Sequence, residues 1–438
     1  MRAGNGLLYA LTGCALCGGA AAADDVDSLF DLDKPVAADD AAGSGLRWGG
    51  YGEFGAAYTY AEPAHWSKLR MRAELAASGR LGARARFKLA ARVDGDAAYD
   101  VESGHYPGPV QRDQRSGFAL REAYLDFSSG DWEFRVGRQH IVWGEVVGLF
   151  LADVVSARDL REFLLPEFEA LRIPQWAARA EFHGAETFFE LLWIPVPSYD
   201  KVGKPGADFY PFPLPAGTRV RNNEPDRDVG DGNWGLRASR LMAGWDLAAF
   251  YYSSRDVAPT LYRTSPAPAF ELRHDRIRQV GATLSKDMGN FVLKGEAVHT
   301  RGRSFNSTDP AAPFGLKSSD TLQYIVGIDI PLQDVWRFNV QHYARLLDDH
   351  DRTLDSDRYE TGFTLLVNRK FGASFEAEVL MVAGINRPDY MLRPKLVWHI
   401  TQEWRGQFGA DVFGGRDKSL FGRFDDRDRV YVEVRRWF

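Results

Sequence analysis

Hydrophobic and polar residues alternate along most of this chain with a period of two. Leu46, Trp48, Phe54, Ala56, Tyr58 and Tyr60 share one parity, and Arg47, Glu53 and Thr59 hold the other. Leu69, Met71, Ala73 and Leu75 then stand opposite Lys68, Arg70, Arg72 and Glu74, and Leu81, Ala83, Ala85, Phe87, Leu89 and Val93 opposite Arg84, Arg86, Lys88 and Arg92. Trp132, Phe134 and Val136 oppose Glu133 and Arg135, and the same split recurs at 176–183, 233–241, 290–300, 335–344, 358–369, 371–382, 402–413 and 428–438. A helix would space its apolar residues three and four apart, so these segments predict strands with one apolar face.

Weaker segments at 117–128, 185–194, 244–252, 277–285, 321–331 and 389–399 bring the count to 18 strands, or 16 if some of the weak ones fail. Either number is even, as a single-chain bacterial barrel requires. Short links at Gly79-Arg80, Ser129-Gly130, Gly184, Met242-Ala243, Asp287-Met288-Gly289, Leu332-Gln333, Lys370 and Ile400-Thr401 alternate with longer ones. The longer links fall at 94–116, 142–175, 195–232, 253–276, 301–320, 345–357 and 414–427, with 61–65 and 383–388 shorter but in the same phase. Pattern and rhythm together predict an all-β fold: a transmembrane, antiparallel, up-and-down barrel with periplasmic turns and outer loops.

Composition narrows the class. The chain has 438 residues, 45% hydrophobic, 13% aromatic and 26% charged, with a net charge of -6. It is ordered rather than disordered, and its acidity argues against a nucleic-acid partner. Met1-Arg2, the uncharged run Leu7 to Ala23 and the small Ala21-Ala22-Ala23 form a secretory signal peptide over 1–23. Leu11-Thr12-Gly13-Cys14 leaves lipidation at Cys14 open as an alternative. Cleavage after Ala23 would remove Arg2, Cys14 and Cys17, taking the net charge from -6 to -7 and leaving no thiol for disulfides, zinc or iron–sulfur clusters. Beyond it, charge breaks every apolar run short of a spanning helix, which needs roughly 18 residues. Residues 24–44 form an acidic leader expected to be a disordered periplasmic tail, and 45–438 one barrel domain.

With the apolar parity toward lipid, Lys68, Arg70, Arg72, Arg84, Arg86, Lys88 and Arg92 become a basic wall inside the barrel. Such a wall selects anions, or faces Glu360, Glu376 and Glu378 across a transverse field, or pairs with neighbouring acids and fills the lumen. In 144–175, Ser156, Asp159, Leu160, Phe163 and Leu164 fit a capped amphipathic helix, with Pro166 starting a second turn, and its apolar face would fold into the barrel. Loop 195–232 holds seven of the 21 prolines with Tyr199, Phe209, Tyr210 and Phe212, which suits a packed cap or a ligand-contacting lid. Asp226, Asp228, Asp231 and Asn233 offer oxygens to a hard cation, but their spacing departs from calcium loops, so neither metal nor cofactor is expected. There is no Gly-x-Ser-x-Gly elbow, and His140, His183, His299, His342 and His399 lie on separate strands without a recognisable Ser partner, so no enzyme activity is expected.

Three resemblances extend this reading. The terminal Phe438 with Val430, Val432 and Val434 resembles the final strand by which outer-membrane proteins reach the barrel-assembly machinery, although Arg436 departs from it. Phe134-Arg135-Val136-Gly137-Arg138-Gln139-His140-Ile141-Val142-Trp143-Gly144-Glu145, with Ala152-Asp153-Val154-Val155 and Ala157-Arg158-Asp159-Leu160, resembles a large family of Gram-negative outer-membrane barrels known by a domain-of-unknown-function label. That resemblance is specific around 118–215. It implies an outer-membrane protein linked to resistance-nodulation-division transporters and a periplasmic partner, moving apolar or lipid-like compounds, with no catalytic residues. A weaker similarity to alginate-export barrels rests on strand count, the Arg/Lys wall and the Gly-Arg-Gln run. Arg135, Arg138, Gln139 and Trp143 are thus the candidates for a lumen constriction.

The sequence therefore points to an outer-membrane, porin-like channel for an anionic or amphipathic solute, constricted by the 144–175 loop. The competing class is a non-conducting barrel that scaffolds an envelope complex. The partners expected are membrane lipid, the assembly machinery and a periplasmic or inner-membrane transport component.

Overall fold

The computed structural model describes residues 45–438 apart from 83, 145, 147, 215–217, 226–228 and 265–268. The segments expected to be a signal peptide, with Cys14, and an acidic leader, and Asp226 and Asp228 of the oxygen cluster, lie outside the described residues. Alternation becomes strand throughout, in a single sheet of 18. The first nine strands are β1 (Arg47–Thr59), β2 (His65–Leu81), β3 (Ala85–Asp96), β4 (Ser116–Ser129), β5 (Trp132–Gln139), β6 (Gln175–His183), β7 (Thr187–Val196), β8 (Asn233–Met242) and β9 (Trp245–Arg255). The rest are β10 (Arg276–Asp287), β11 (Val292–Arg301), β12 (Thr321–Leu332), β13 (Trp336–Leu347), β14 (Tyr359–Phe371), β15 (Phe375–Gly384), β16 (Asp389–His399), β17 (Trp404–Gly415) and β18 (Arg429–Trp437).

Each strand pairs antiparallel with the next. The sheet closes where β18 pairs with β1, from Tyr51 opposite Trp437 to Thr59 opposite Arg429. Two 3.0 Å bonds between the backbones of Gly50 and Phe438 extend that seam. Closure satisfies the backbone groups that an edge strand would leave bare in lipid. The count is 18, so the 16-strand alternative falls, and every segment expected from the alternation is a strand.

Apolar residues of one parity are exposed on the outer wall, among them Met71, Leu125, Leu191, Val280, Val326 and Val432. Aromatics gather at both ends of the strands. Stacked pairs Phe127–Phe134, Trp336–Phe338 and Phe375–Trp398 lie near the short turns, while Tyr58–Trp66 and Trp234–Tyr251 lie near the long loops. Such belts sit where acyl chains give way to headgroups. One irregularity changes the inner wall: the β3–β4 register shifts between Ala90 and Ala91, a bulge through which Arg121 joins Glu122 among the half-buried and buried inward groups.

The helix expected from Ser156 does not form. The chain makes one 3-10 turn, Leu160–Glu162, whose Asp159 side chain accepts the Arg161 N–H, and a four-residue α-helix, Phe168–Leu171. Phe163 adopts φ of 54°, a left-handed conformation that ends the turn. The Ser156 hydroxyl, rather than capping, shares its one hydrogen between the Ile141 carbonyl at 2.9 Å and Asp153 Oδ1 at 2.8 Å. The physical reason is that the apolar residues of this loop are shared between two walls, whereas an amphipathic helix would offer them all to one.

Leu191 lies mid-strand on the outer wall, opposite Ala180 and Leu236. Leu191→Arg should destabilise the barrel by about 2–4 kcal/mol in bilayer refolding titrations, the cost of a cation near the bilayer midplane. No change in the unfolding midpoint would place this face away from lipid.

Candidate functional site

The described residues of the 140–174 segment leave the top of β5, enter the barrel and cross it. The first half packs Ile141, Trp143, Ala152, Val154 and Val155 against Ala177, Leu192, Ile194, Phe250, Tyr252 and Val298 of β6, β7, β9 and β11. The second half packs Phe163 and Leu165 against Val382, Met391 and Phe413 of β15, β16 and β17, with Phe209, Phe421 and Phe424 from other loops. Strands β6–β9 and β15–β18 lie nine apart in an 18-strand ring, so the loop is a crossbar between facing walls.

Polar contacts fix its first half. Trp143 is fully buried, and its indole N–H donates to Glu190 at 3.2 Å. The indole lies on the wall at Gly235, where an added Cβ would come within 2.7 Å of the ring, so a glycine is required there for the crossbar to seat. Glu296 accepts the Val146 and Ala152 backbone N–H groups at 3.1 and 2.8 Å. Gly144 passes so close to Asp153 that a Cβ would stand 2.7 Å from its nitrogen.

Ion pairs fix the second half. Glu162 receives Lys68 at 2.7 Å, Arg429 at 3.6 Å and Arg70 in closer contact. Glu167 receives Arg405 at 2.9 Å and Arg435 at 3.2 Å. Arg393 donates to the carbonyls of Leu164 and Leu165 at 3.2 and 2.5 Å, and Arg121 to that of Arg172 at 2.7 Å.

The expected basic wall is therefore present, and it is engaged. Arg72 pairs with Asp94 and reaches Glu53 at 3.8 Å, and Arg92 meets Asp94 at 3.4 Å. Lys88 pairs with Glu122 at 2.6 Å and Arg86 with Glu133 at 3.2 Å, while Arg84 lies beside Arg80 and Arg86 around a small cleft near the β2–β3 turn. Arg135 bonds Asp126 at 2.5 Å with its guanidinium over Tyr124. Gln139 is fully buried against backbone carbonyls such as that of Ala177, 3.1 Å away. Arg138 departs from its expected place: it shares the outward parity of Trp132, Phe134 and Val136, opposite the exposed Trp176. The transverse field is also corrected. Glu378 pairs with Lys395 at 3.0 Å and Glu360 with Arg345 at 2.5 Å, each on a neighbouring strand. The cations instead continue over β16–β18 as Arg393, Lys395, Arg405, Arg429 and Arg435, and what they face is the acidic crossbar.

Sequence reasoning missed those five cations and both carboxylates, although parity counting on β16–β18 would have placed the cations inside. It also missed a cavity of about 390 Å³ above the crossbar. Phe150, Leu151, Phe212, Leu261 and Phe305 line it together with Arg158, Arg303 and Arg345. Arg303 pairs with Asp256 at 2.8 Å, and the Nε groups of Arg158 and Arg345 are buried without a hydrogen-bond partner.

Beside this cavity Asp200 accepts the Arg158 backbone N–H at 2.7 Å. Burial raises its carboxyl to about 6 against the pull of Arg158. The protonated form is thus favoured in the fold: its contribution to stability is full in acid and is lost as pH rises through that value. Asp200→Asn, which is never charged, should exceed the wild type in thermal stability by more at pH 7.5 than at pH 5. A gap independent of pH would contradict this assignment.

No protein of curated description matches the chain. In fold it is similar to OccAB1 of Acinetobacter baumannii, at 9% identity and a TM-score of 0.57, covering 91% of this chain and 98% of that one. It is similar also to OccAB4 of Acinetobacter baumannii, at 10% identity and a TM-score of 0.51, covering 91% of this chain and 100% of that one. At such identities the likeness is one of fold: a closed antiparallel barrel of outer-membrane type. The model of the DUF1302 family, described as a protein of unknown function, matches residues 66–438, and the chain belongs to that family.

Proposed function

We propose that the protein is a porin-like channel of the outer membrane, exported by its signal peptide, which passes an anionic, amphipathic solute beside the 140–174 crossbar. The observation that carries this reading is the cavity above the crossbar. Its aromatic lining suits an apolar body, and the positive charge of Arg158, Arg303 and Arg345 in its wall suits a carboxylate or similar anion. The outward apolar wall with its two aromatic belts supports the membrane placement. Membrane lipid and the assembly machinery are the partners this reading needs, and a periplasmic transport component would receive or supply the solute below.

One observation favours a second reading, a non-conducting scaffold: most of the expected lumen cations already have acidic partners. A charged lumen whose charges are matched can be a filled one.

Block of the ion current through the reconstituted protein separates the two. A naphthalenecarboxylate should block at lower concentration than the uncharged naphthylmethanol. Replacing the pair Arg345→Gln with Glu360→Gln, so that neither partner is left alone, should raise the half-blocking concentration about tenfold, equivalent to about 1.4 kcal/mol. Equal block by both solutes would remove the anion specificity, and no current under any condition would favour the scaffold.

A further inference from the structure

Three segments of the outer side bring two imidazoles and a carboxylate together. His65 opens β2, His105 lies in the 97–115 connection and Asp208 in the 197–232 connection. One ligand atom from each lies within 4.8 Å of the others. His65 is 2% exposed, and the Asp208 side chain is 8% exposed.

The hydrogen bonding sets the chemistry. His65 Nδ1 is 2.6 Å from the Pro63 carbonyl, which can only accept, so Nδ1 carries the hydrogen. Its Nε2 stands 3.2 Å from both oxygens of Asp208, where the imidazolium would donate and the neutral ring would present a lone pair. His105 Nε2 lies 3.7 Å from Oδ1 of the same carboxylate. Lone pairs facing a carboxylate at these distances require a cation between them: a proton or a metal ion.

We propose that His65, His105 and Asp208 bind a divalent transition ion of the zinc class. Imidazole nitrogens and a carboxylate suit such an ion, with three protein ligands and water in the fourth position. Supporting contacts of the usual kind are in place: the Pro63 carbonyl orients His65, and the Tyr106 hydroxyl donates to Asp208 Oδ2 at 2.7 Å, leaving Oδ1 for the ion. Two features must yield. The His65 and His105 rings are stacked with centroids 3.8 Å apart, so His105, on its loop and partly exposed, turns out of the stack to aim its nitrogen. Arg427 Nε stands 3.6 Å from Asp208 Oδ1 and competes with the ion for that oxygen.

Bound there, the ion would tie the 97–115 and 197–232 connections to the start of β2. The second connection supplies Phe209 to the cluster around Phe163 and Phe212 to the cavity above the crossbar. Occupancy would therefore stiffen the mouth of the barrel. The binding site itself does not depend on the channel reading.

Zinc titration of the tag-free, chelator-stripped protein in detergent, against a competing chromophoric chelator, tests this. One ion per chain is expected. His105→Ala and Asp208→Asn should each weaken binding about tenfold or more. Arg427→Gln should tighten it, an effect that a merely structural trio would not give. Retained heat-resistant mobility on gels shows that each variant still folds, and His105→Ala, on an outer connection, is the safest of them. Absence of stoichiometric zinc binding, affinity unchanged by both ligand variants, or weaker binding in Arg427→Gln would overturn the proposal.

Discussion

Charge attraction between the inner wall and the crossbar is the interaction on which the interior depends. A barrel of 18 strands encloses more space than its own side chains fill, so something must occupy the lumen or leave it open. Here Glu162 and Glu167 reach cations on β2, β17 and β18, and Arg393 holds two carbonyls between them. Such pairs add little net stability over an apolar core, because desolvation offsets most of the attraction. Their effect is positional. Loss of Glu162 would leave Lys68 to Glu433 and Arg429 to Asp411 alone, and loss of Glu167 would leave Arg435 to Glu53; breaking such buried pairs costs up to about 3–5 kcal/mol, so the loop has one favoured place.

The apolar clusters make the same point from the other side. The crossbar offers Trp143 and Val155 to one wall and Phe163 and Leu165 to the wall facing it. Glycine at 235 opens the seat for the indole. A segment bound at both ends divides the upper lumen, and the cavity lies beside it, bounded by the loop and by β9, β10, β12 and β13. On the proposed channel reading, passage would be set by what that cavity accepts rather than by the bore of the barrel.

The strands were legible because alternation is a local property: the parity of Leu69 against Arg70 needs no knowledge of the partner strand. The long and short links then gave topology, since an up-and-down barrel has no other information to supply. The crossbar was legible only in part. Its inward course followed from its apolar content, but its conformation did not, because Leu160 and Phe163 satisfy helical spacing while Phe163 folds left-handed against aromatics some 250 residues later. Charge partners were hidden for the same reason: Arg435 and Glu167 are 268 residues apart. Arg138 was misplaced because it was assigned by its resemblance rather than by its parity, which puts it beside Trp176 outside. The two histidines and Asp208 left no motif at all, being 40 and 103 residues apart.

Single-channel conductance in a planar bilayer, for the intact protein and for a chain lacking residues 146–172, tests the central claim most directly. A small, steady conductance in the intact protein that rises several-fold on deletion is the result this account predicts. Equal conductance in both, with the shortened barrel correctly folded, would contradict the view that the pinned crossbar sets the opening.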